Sequence, residues 1–274
     1  MRDQMQKERE NMRKSIKTTL MIILSTVFVY SCSQLLIFYI EYRKQEKINK
    51  DAVAFYVQEP VEEPEEIPEE IVEEEVPEEE KISCPIEVNF DKLLAENSEV
   101  VGWIYCEDSN INYPVVQGKD NDYYLNHSYT GEESKAGAIF VDAENSPGFA
   151  DCNTIIYGHH MKNGGMFAKL KKWGDQEFYE AHPVMWLLTP EQNYRVDLFA
   201  GYLTPATSDT YLIFRDPGKY FDVYLSQVVA VSDIQSDVEL PGDGHYVILS
   251  TCEYDYQDAR YVLYGLLTPA DGAE

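Results

Sequence analysis

The sequence predicts a mainly β domain that follows a single transmembrane helix. Most of the chain beyond residue 82 consists of short β-branched and aromatic runs separated by turn residues, with few long helical patterns. Such a pattern is typical of a closed barrel or a sandwich. Near the N-terminus, Thr18 to Ile40 is nearly free of charge, and about 20 apolar residues suffice for a helix to cross a bilayer.

The residues that flank this apolar run predict its orientation. Six basic residues precede it: Arg2, Lys7, Arg9, Arg13, Lys14 and Lys17. The positive-inside rule therefore favours a cytoplasmic tail of residues 1–17, an anchor of residues 18–40 and an external remainder, although Arg43, Lys44, Lys47 and Lys50 reduce the asymmetry. A cleaved signal peptide is the alternative, but the run is longer than a usual signal core and no small-x-small site closes it.

Residues 41–81 are expected to be a juxtamembrane segment, helical up to residue 57, and then an acidic spacer. Residues 58–81 repeat a Pro-Glu-Glu theme, and like charges at that density favour an extended segment that holds the domain away from the membrane. The net charge of −27 also argues against nucleic-acid binding, which needs a basic face. The folded domain is then predicted to occupy residues 82–274.

Within this domain the turn residues divide the chain into short elements. A helix is predicted over Asp91 to Asn97, with Asn89 or Asp91 as its cap. Helical insertions are expected at Met166 to Trp173 and at Pro217 to Leu225, the latter inside a long connection from Thr204 to Gly244. The predicted strands are Val100 to Tyr105, Ile111 to Val116, Gly137 to Val141, Thr154 to Tyr157, Val184 to Leu188, Tyr194 to Tyr202, Val228 to Val231, Tyr246 to Ser250 and Tyr261 to Leu267.

The chain has five cysteines, of which Cys32 lies in the apolar run. The other four, Cys84, Cys106, Cys152 and Cys252, could form two disulfides outside the cell. Their density is below that of a disulfide scaffold, and the domain is large enough to bury its own core. We therefore expect mainly reduced cysteines, with Cys252 free.

Three residues have the types and positions that nucleophilic catalysis needs. Cys252 ends one apolar β-type run, and His159 follows another. A cysteine nucleophile acts as a thiolate, which a nearby imidazolium stabilises, and a guanidinium can stabilise the oxyanion formed on acyl attack. If residues 246–252 and 260–267 are neighbouring antiparallel strands, the seven-residue turn between them brings Arg260 beside Cys252. A buried structural cysteine is the simpler alternative.

The local motifs resemble the sortase family, specifically class B. Leu249 to Cys252 followed by Arg260, with Tyr157 to Met161 upstream, carry the strongest likeness. Further similar segments, which extend the resemblance over nearly all of residues 85–268, are Val100 to Ile104, Ile111 to Gly118, Asp122 to Asn126, Lys135 to Asp142 and Met166-Phe167. One departure is Ile248, where the full sortase signature begins with Thr.

The resemblance implies a closed sortase-type β-barrel, with a short N-terminal helix and helical insertions, and a transpeptidase reaction. Cys252 would cleave a C-terminal sorting signal after Thr, His159 would act as acid and then base, and Arg260 would hold the carbonyl or oxyanion. The acceptor would be an amine of a peptidoglycan precursor, and the targets would be surface proteins of a Gram-positive organism. The resemblance also implies a substrate-binding set: Asn121, Leu125, Thr207, Tyr211, Leu212, Ser250, Thr251 and Glu253.

His160 is the less expected catalyst, because the family pattern uses the histidine directly after Gly158, and His127, His182 and His245 fit surface or turn positions. No acidic cluster has calcium-loop spacing, so we expect no metal and no cofactor.

The alternative functions are an L,D-transpeptidase, a papain-like peptidase, a pilin-polymerising sortase and a catalytically silent surface module on a stalk. The His-Gly-Cys motif of an L,D-transpeptidase is absent from this sequence. A papain-like peptidase has its Cys before its His in the chain, whereas here His159 precedes Cys252.

Overall fold

The computed structural model describes residues 1–60, 84–253 and 258–270. Four α-helices are present among them: α1 (Arg2–Tyr56), α2 (Phe90–Glu96), α3 (Gln176–Ala181) and α4 (Lys219–Val231). The strands are β1 (Val57–Gln58), β2 (Glu87–Val88), β3 (Val100–Tyr105), β4 (Asn112–Val116), β5 (Ile139–Val141), β6 (Asn153–Tyr157), β7 (Val184–Leu188), β8 (Asn193–Pro205), β9 (His245–Cys252) and β10 (Ala259–Ala270).

Strands β3 to β10 form a closed barrel, which confirms the predicted fold class. Their order around the barrel is β10-β8-β7-β3-β4-β5-β6-β9, and β9 closes on β10. Most pairs are antiparallel, but β6 runs parallel to β9, and β4 runs parallel to β5. Inward side chains such as Leu187, Leu249 and Leu263 are fully buried in one cluster inside the barrel, because alternate residues of each strand face the same side.

The predicted short helix is confirmed as α2, and its cap explains where it begins. The side chain of Asn89 accepts a hydrogen bond from the backbone N–H of Lys92, which satisfies one of the N–H groups that a helix start leaves unpaired. Leu93 is fully buried and packs against the barrel through Trp103 and Val116.

The predicted strand at Val228 to Val231 is wrong, because these residues form the last turn of α4. The sequence favoured a strand because the run is β-branched. In the fold, Phe221, Tyr224, Leu225 and Val228 are buried at intervals of three and four residues, which is helical spacing. Burial of this face against the barrel outweighs the weaker intrinsic preference of valine for strands. The predicted helix at Pro217 to Leu225 therefore begins later and ends later than expected.

The predicted helical insertion at Met166 to Trp173 is only partly helical. A 3₁₀ helix covers Leu170–Gly174, whereas Met166 has a left-handed backbone with φ of 55° and pairs with His160 in an isolated β-bridge. Met166 is buried, and its N–H donates to the Tyr113 hydroxyl. The segment directly after the predicted catalytic histidine is therefore not a helix but a loop, whose ends are joined by the bridge between His160 and Met166.

The contacts divide the chain into two units, Met1–Gln45 and Glu46–Glu274, and helix α1 contributes to both. Its N-terminal part contains an apolar stretch that is long enough to cross a membrane. Its last turns belong to the second unit, where Ala52 and Tyr56 are buried in the cluster that also contains Leu93 and Trp103. The second unit therefore includes residues 46–58, which precede the predicted domain of residues 82–274.

Two short strands flank the acidic segment in the sequence and pair with each other. Gln58 of β1 pairs with Glu87 of β2, and the N–H of Asn89 donates to the carbonyl of Tyr56. Most of the expected spacer, residues 58–81, lies outside the described residues.

Candidate active site

The three predicted catalytic residues meet at one rim of the barrel because of the strand directions. Strands β6 and β9 run parallel, so their carboxyl ends reach the same edge, and antiparallel β10 starts there. His159 follows the end of β6, Cys252 ends β9, and Arg260 is the second residue of β10. The fold thus joins residues that are about 90 positions apart in the chain.

Cys252 and Arg260 lie opposite each other in the β9–β10 ladder, as the sequence predicted. The N–H of Glu253 donates to the carbonyl of Ala259 at 2.8 Å, so the next pair along, Cys252 and Arg260, is not joined by backbone hydrogen bonds. In such pairs the opposite Cα atoms are about 4.5 Å apart and the side chains are closest. The register therefore places the two side chains next to each other on one face of the sheet, where the Arg260 guanidinium donates to the Ala259 carbonyl at 3.0 Å.

Both side chains project from the outer face of the barrel wall, beneath the long connection that carries α4. Cys252 shares its face with Ser250 and Ile248, and Arg260 shares its face with Tyr264. Ile248 and Tyr264 belong to the apolar cluster that α4 covers on this side. The site consequently lies on the outer surface of the barrel, where β9 and β10 border the β8–β9 connection.

His159 is held by the loop that follows β4. Its Nε2 lies 2.8 Å from the carbonyl oxygen of Leu125, so the ring donates from this nitrogen when it carries the proton. Gly137 lies against the same ring with φ of 58°, and a Cβ there would meet the carbonyl oxygens of Tyr124 and Leu125 and lie 3.1 Å from Cδ2 of His159. Only glycine accepts both this backbone conformation and this close approach. Within the described residues, His159 makes no hydrogen bond to the Cys252 thiol.

Tyr211 borders Cys252 on the side of the long connection. Its hydroxyl lies 2.9 Å from the Ser250 hydroxyl, and its ring stacks near that of Tyr157. Burial raises the pKa of Tyr211 to about 12, while Arg260 acts to lower this pKa and Cys252 acts to raise it. Both groups therefore lie within electrostatic range of the Tyr211 hydroxyl, which stays protonated at neutral pH and can donate a hydrogen bond.

Of the other predicted binding residues, some are exposed to solvent, and others are buried or make hydrogen bonds within the protein. Thr207 is exposed, and the Leu212 side chain is 49% exposed. The Asn121 side-chain oxygen accepts from the N–H of Ala143, which fixes one loop to another. Thr251 alternates with Cys252 along β9, so it belongs to the opposite face, and it is buried, as is Glu253.

The sequence did not reveal the backbone and neighbouring groups that hold the site. Every residue has a backbone carbonyl, so no sequence pattern marks the carbonyl of Leu125. Only the fold shows that it holds His159. The sequence favours His159 over His160 as the catalyst, yet Nδ1 of His160 lies 2.9 Å from the Cys252 carbonyl oxygen and 3.2 Å from Oε1 of Glu253. The doublet of histidines was the only signal that could have pointed to it.

All five cysteines are free thiols in the structure. Burial raises the pKa of Cys84 and of Cys106 to about 11, which keeps both in the unreactive thiol form. Cys252 is the partly exposed cysteine of the folded domain, whereas Cys84, Cys106 and Cys152 are buried. Across the part of the chain that the structure describes, no cluster of His, Cys, Asp and Glu could hold a metal ion.

A family model described as the sortase domain matches residues 104–268. The chain belongs to the sortase family. Sortase B of Listeria monocytogenes is 44% identical over 175 residues, which cover 62% of this chain and 70% of that protein. Sortase B of Staphylococcus aureus is 34% identical over 175 residues, which cover 63% and 71%.

Solved sortase B structures share the fold. A sortase B structure from Bacillus anthracis, in complex with AAEK1, has a TM-score of 0.66 and 33% identity, and it covers 84% of this chain and 99% of its own. A Staphylococcus aureus sortase B–substrate complex has a TM-score of 0.62 and 32% identity, and it covers 66% and 85%. The predicted class B resemblance is confirmed, and as a sortase the protein is a cysteine transpeptidase.

Proposed function

We propose that this sortase cleaves a C-terminal sorting signal after Thr and transfers the surface protein to an amine of a cell-wall peptidoglycan precursor. Cys252 is the nucleophile, His159 is the acid and base, and Arg260 stabilises the oxyanion. The observation that carries this proposal is the facing pair of Cys252 and Arg260 in the β9–β10 ladder, with His159 at the end of the adjacent strand.

In the first half-reaction, the thiolate of Cys252 attacks the carbonyl carbon of the Thr residue. The carbonyl oxygen becomes an oxyanion, and the guanidinium of Arg260, which cannot lose its charge at working pH, offers several N–H donors to it. When the C–N bond breaks, the imidazolium of His159 gives a proton to the leaving amine. The products are a thioester on Cys252 and the free C-terminal fragment.

In the second half-reaction, the acceptor amine attacks the thioester carbonyl, and His159 takes the proton that the amine loses. The C–S bond then breaks, Cys252 leaves as a thiolate, and a new amide joins the surface protein to the wall precursor. Because Nε2 of His159 is hydrogen-bonded to the Leu125 carbonyl, Nδ1 is the ring nitrogen left for these proton transfers.

The sorting signal is proposed to bind on the barrel surface beside Cys252. Thr207 and Leu212 are exposed on the β8–β9 connection, and Tyr211 next to them offers a protonated hydroxyl near the reacting centre. Asn121, Leu125, Ser250, Thr251 and Glu253 are further proposed binding residues. For the last three, burial favours a role in shaping the site over open side-chain contact.

The proposed location is the cell membrane of a Gram-positive organism, with a single span, a cytoplasmic N-terminus and the catalytic domain outside. The apolar stretch of α1 and the basic residues before it support this arrangement. Both the surface protein and a lipid-linked wall precursor would be met at the outer membrane surface. Tethering the enzyme there raises its effective concentration towards both substrates.

The test is to mix the full chain, in detergent, with a panel of sorting-signal peptides and to record intact-protein mass. We expect a mass gain equal to the peptide up to its Thr, discharge of this adduct by an added amine, and no adduct for Cys252→Ala. Cys152→Ala, which removes a buried thiol, is the matched control and should still form the adduct. An adduct that persists in Cys252→Ala would exclude Cys252 as the nucleophile, and no adduct with any peptide would favour a silent surface module.

A further inference from the structure

Beyond the catalytic residues, one side chain reaches directly to the backbone of the proposed nucleophile. The imidazole of His160 lies with Nδ1 at 2.9 Å from the carbonyl oxygen of Cys252 and at 3.2 Å from Oε1 of Glu253. A carbonyl oxygen can only accept a hydrogen bond. The contact with Cys252 is therefore a hydrogen bond only when Nδ1 of His160 carries a proton and donates it.

The strand register explains why the Cys252 carbonyl needs a donor from outside the sheet. In the parallel β6–β9 pair, the N–H of Gly158 donates to the carbonyl of Ser250 at 3.1 Å. Carbonyls two residues apart point to the same side of a strand, so the Cys252 carbonyl also points towards β6. A continued ladder would bring the N–H of His160 to it, but β6 ends at Tyr157.

The side chain of His160 replaces this missing ladder bond. Past Gly158 the backbone turns away to form the isolated bridge between His160 and Met166, while Nδ1 of the same residue reaches back to β9. The hydrogen-bond pattern of the sheet is thereby extended by one step, to the residue that carries the thiol. Without it, the carbonyl of Cys252 would lose its partner on this side.

His160 is itself held firmly enough to transmit this constraint. Its side chain is 20% exposed, and its bridge partner Met166 is buried. The side-chain amide of Asn49 contacts the Met166 sulfur, and the N–H of Phe167 donates to the carbonyl of His159. A group that positions a reacting atom must be fixed by its own surroundings, and these contacts meet that condition.

We propose that His160 is a positioning residue, which fixes the backbone of Cys252 against the His159 loop and so sets the distance between the thiol and the imidazole of His159. This role rests on the proposed function of Cys252 and His159. His160 itself does not touch the substrate or the reacting atoms. Its loss should therefore slow the chemical step while it leaves peptide binding nearly unchanged.

The kinetic test uses the full chain in detergent with a peptide that charges Cys252. We expect His160→Ala to lower kcat at least about tenfold with KM within about twofold, since small misplacements of catalytic groups have large effects on rate. His160→Asn should recover most of kcat, because an amide N–H can donate from the position of Nδ1. An unchanged kcat in His160→Ala, or a loss that falls on KM alone, would overturn the proposal.

The chain offers a matched control at the other end of the same strand. His245 begins β9, and its Nδ1 lies 2.9 Å from the carbonyl oxygen of Asp151, which is the same kind of contact remote from the thiol. His245→Ala should leave kcat and KM as they are. A loss of kcat equal to that of His160→Ala would assign both effects to general weakening of the barrel and would overturn the proposal.

A spectroscopic measurement separates this inference from the proposed function. With cysteine labelled by carbon-13 at its carbonyl, the resonance of Cys252 is identified by its absence in Cys252→Ala. We expect His160→Ala to shift this resonance and His245→Ala to leave it in place. If no peptide charges the unaltered protein, the proposed function fails and this signal alone decides: a shift supports the contact, and no shift overturns it.

Discussion

At the scale of single residues, the site depends on groups that border Cys252 from three directions. Arg260 lies across the β9–β10 ladder, Tyr211 lies on the β8–β9 connection, and His160 approaches from the β6 side. The contacts of Tyr211 and His160 join residues that are far apart in the sequence, whereas Arg260 follows Cys252 by eight residues. Cys252 can therefore be placed accurately only when the whole rim of the barrel is formed.

The proposed role of Arg260 leads to a prediction at this scale. Arg260→Lys should lower kcat/KM by about 100-fold or more, because an ammonium is a point charge and cannot reproduce the planar fork of N–H donors beside an oxyanion. The measurement is peptide cleavage under steady-state conditions.

Arg195→Lys is the matched control for this substitution. Arg195 lies on β8, opposite Thr268 near the far end of β10, and pairs with Asp197 at the surface. Surface ion pairs of this kind contribute little to stability, so the control should retain its rate. Near-normal cleavage by Arg260→Lys would remove Arg260 from the mechanism.

At the scale of elements, the last turns of α1 are part of the folded domain. Ala52 and Tyr56 are buried with α2 and β3 residues, and the Tyr56 ring meets the edge of the Tyr129 ring. β1 then pairs with β2. A fragment that begins at residue 82, as the sequence alone suggested, would expose this apolar cluster and leave β2 without its partner strand.

We predict that Tyr56→Ala destabilises the domain by about 3 kcal/mol, because it empties a buried aromatic position. Tyr56 is 6% exposed, whereas its neighbour Phe55 is 60% exposed, so Phe55→Ala should cost below about 1 kcal/mol. The measurement is urea unfolding of the full chain in detergent, followed by tryptophan fluorescence. Equal effects of the two substitutions would show that this segment does not pack as described.

At the scale of the whole molecule, burial of many tyrosines and cysteines couples stability to alkaline pH. Burial raises the pKa of Cys84 and Cys106 to about 11 and that of Tyr211 and Tyr246 to about 12. Among the described residues, the pKa values of six other tyrosines are raised further, mainly by burial: Tyr124, Tyr129, Tyr157, Tyr224, Tyr261 and Tyr264. In the folded state all these groups keep their protons to higher pH than in the unfolded chain.

The sign of the pH dependence follows from proton counting. Above the ordinary pKa values of 9.0 for Cys and 10.0 for Tyr, the unfolded chain has lost protons that the folded chain still holds. The unfolded state then binds fewer protons, so the free energy of unfolding falls as pH rises. We expect stability to be fully present below about pH 9 and to decline from pH 9 towards 12.

The measurement is the free energy of urea unfolding at several pH values from 8 to 11, with tyrosinate absorbance recorded in parallel. Ionisation of the buried tyrosines should accompany unfolding and not precede it. A free energy that stays constant to pH 11, or tyrosines that titrate freely in the folded protein, would contradict the expected coupling. Cys84→Ala should reduce the decline, because one of the shifted groups is then absent.

The sequence by itself determined the fold class, an apolar stretch long enough to cross a membrane, the family and the identity of the three proposed catalytic residues. These properties follow from local sequence patterns. The patterns are the apolar run that lacks charge, the short β-branched segments, and the residues around Gly158-His159 and Thr251-Cys252. It also anticipated that Arg260 lies beside Cys252, because a short turn between antiparallel strands fixes which residues face each other. Local patterns suffice wherever the deciding interaction is near in sequence.

Only the tertiary structure decided which groups hold those residues and which segments complete the domain. The helix at Val228 to Val231 forms against its strand preference because its buried face packs on the barrel. The Leu125 carbonyl and the His160 imidazole hold the site through bonds to residues 34 and 92 positions away. The pairing of β1 with β2 likewise joins residues on either side of the acidic segment. Such contacts follow from closure of the barrel, which no local pattern encodes.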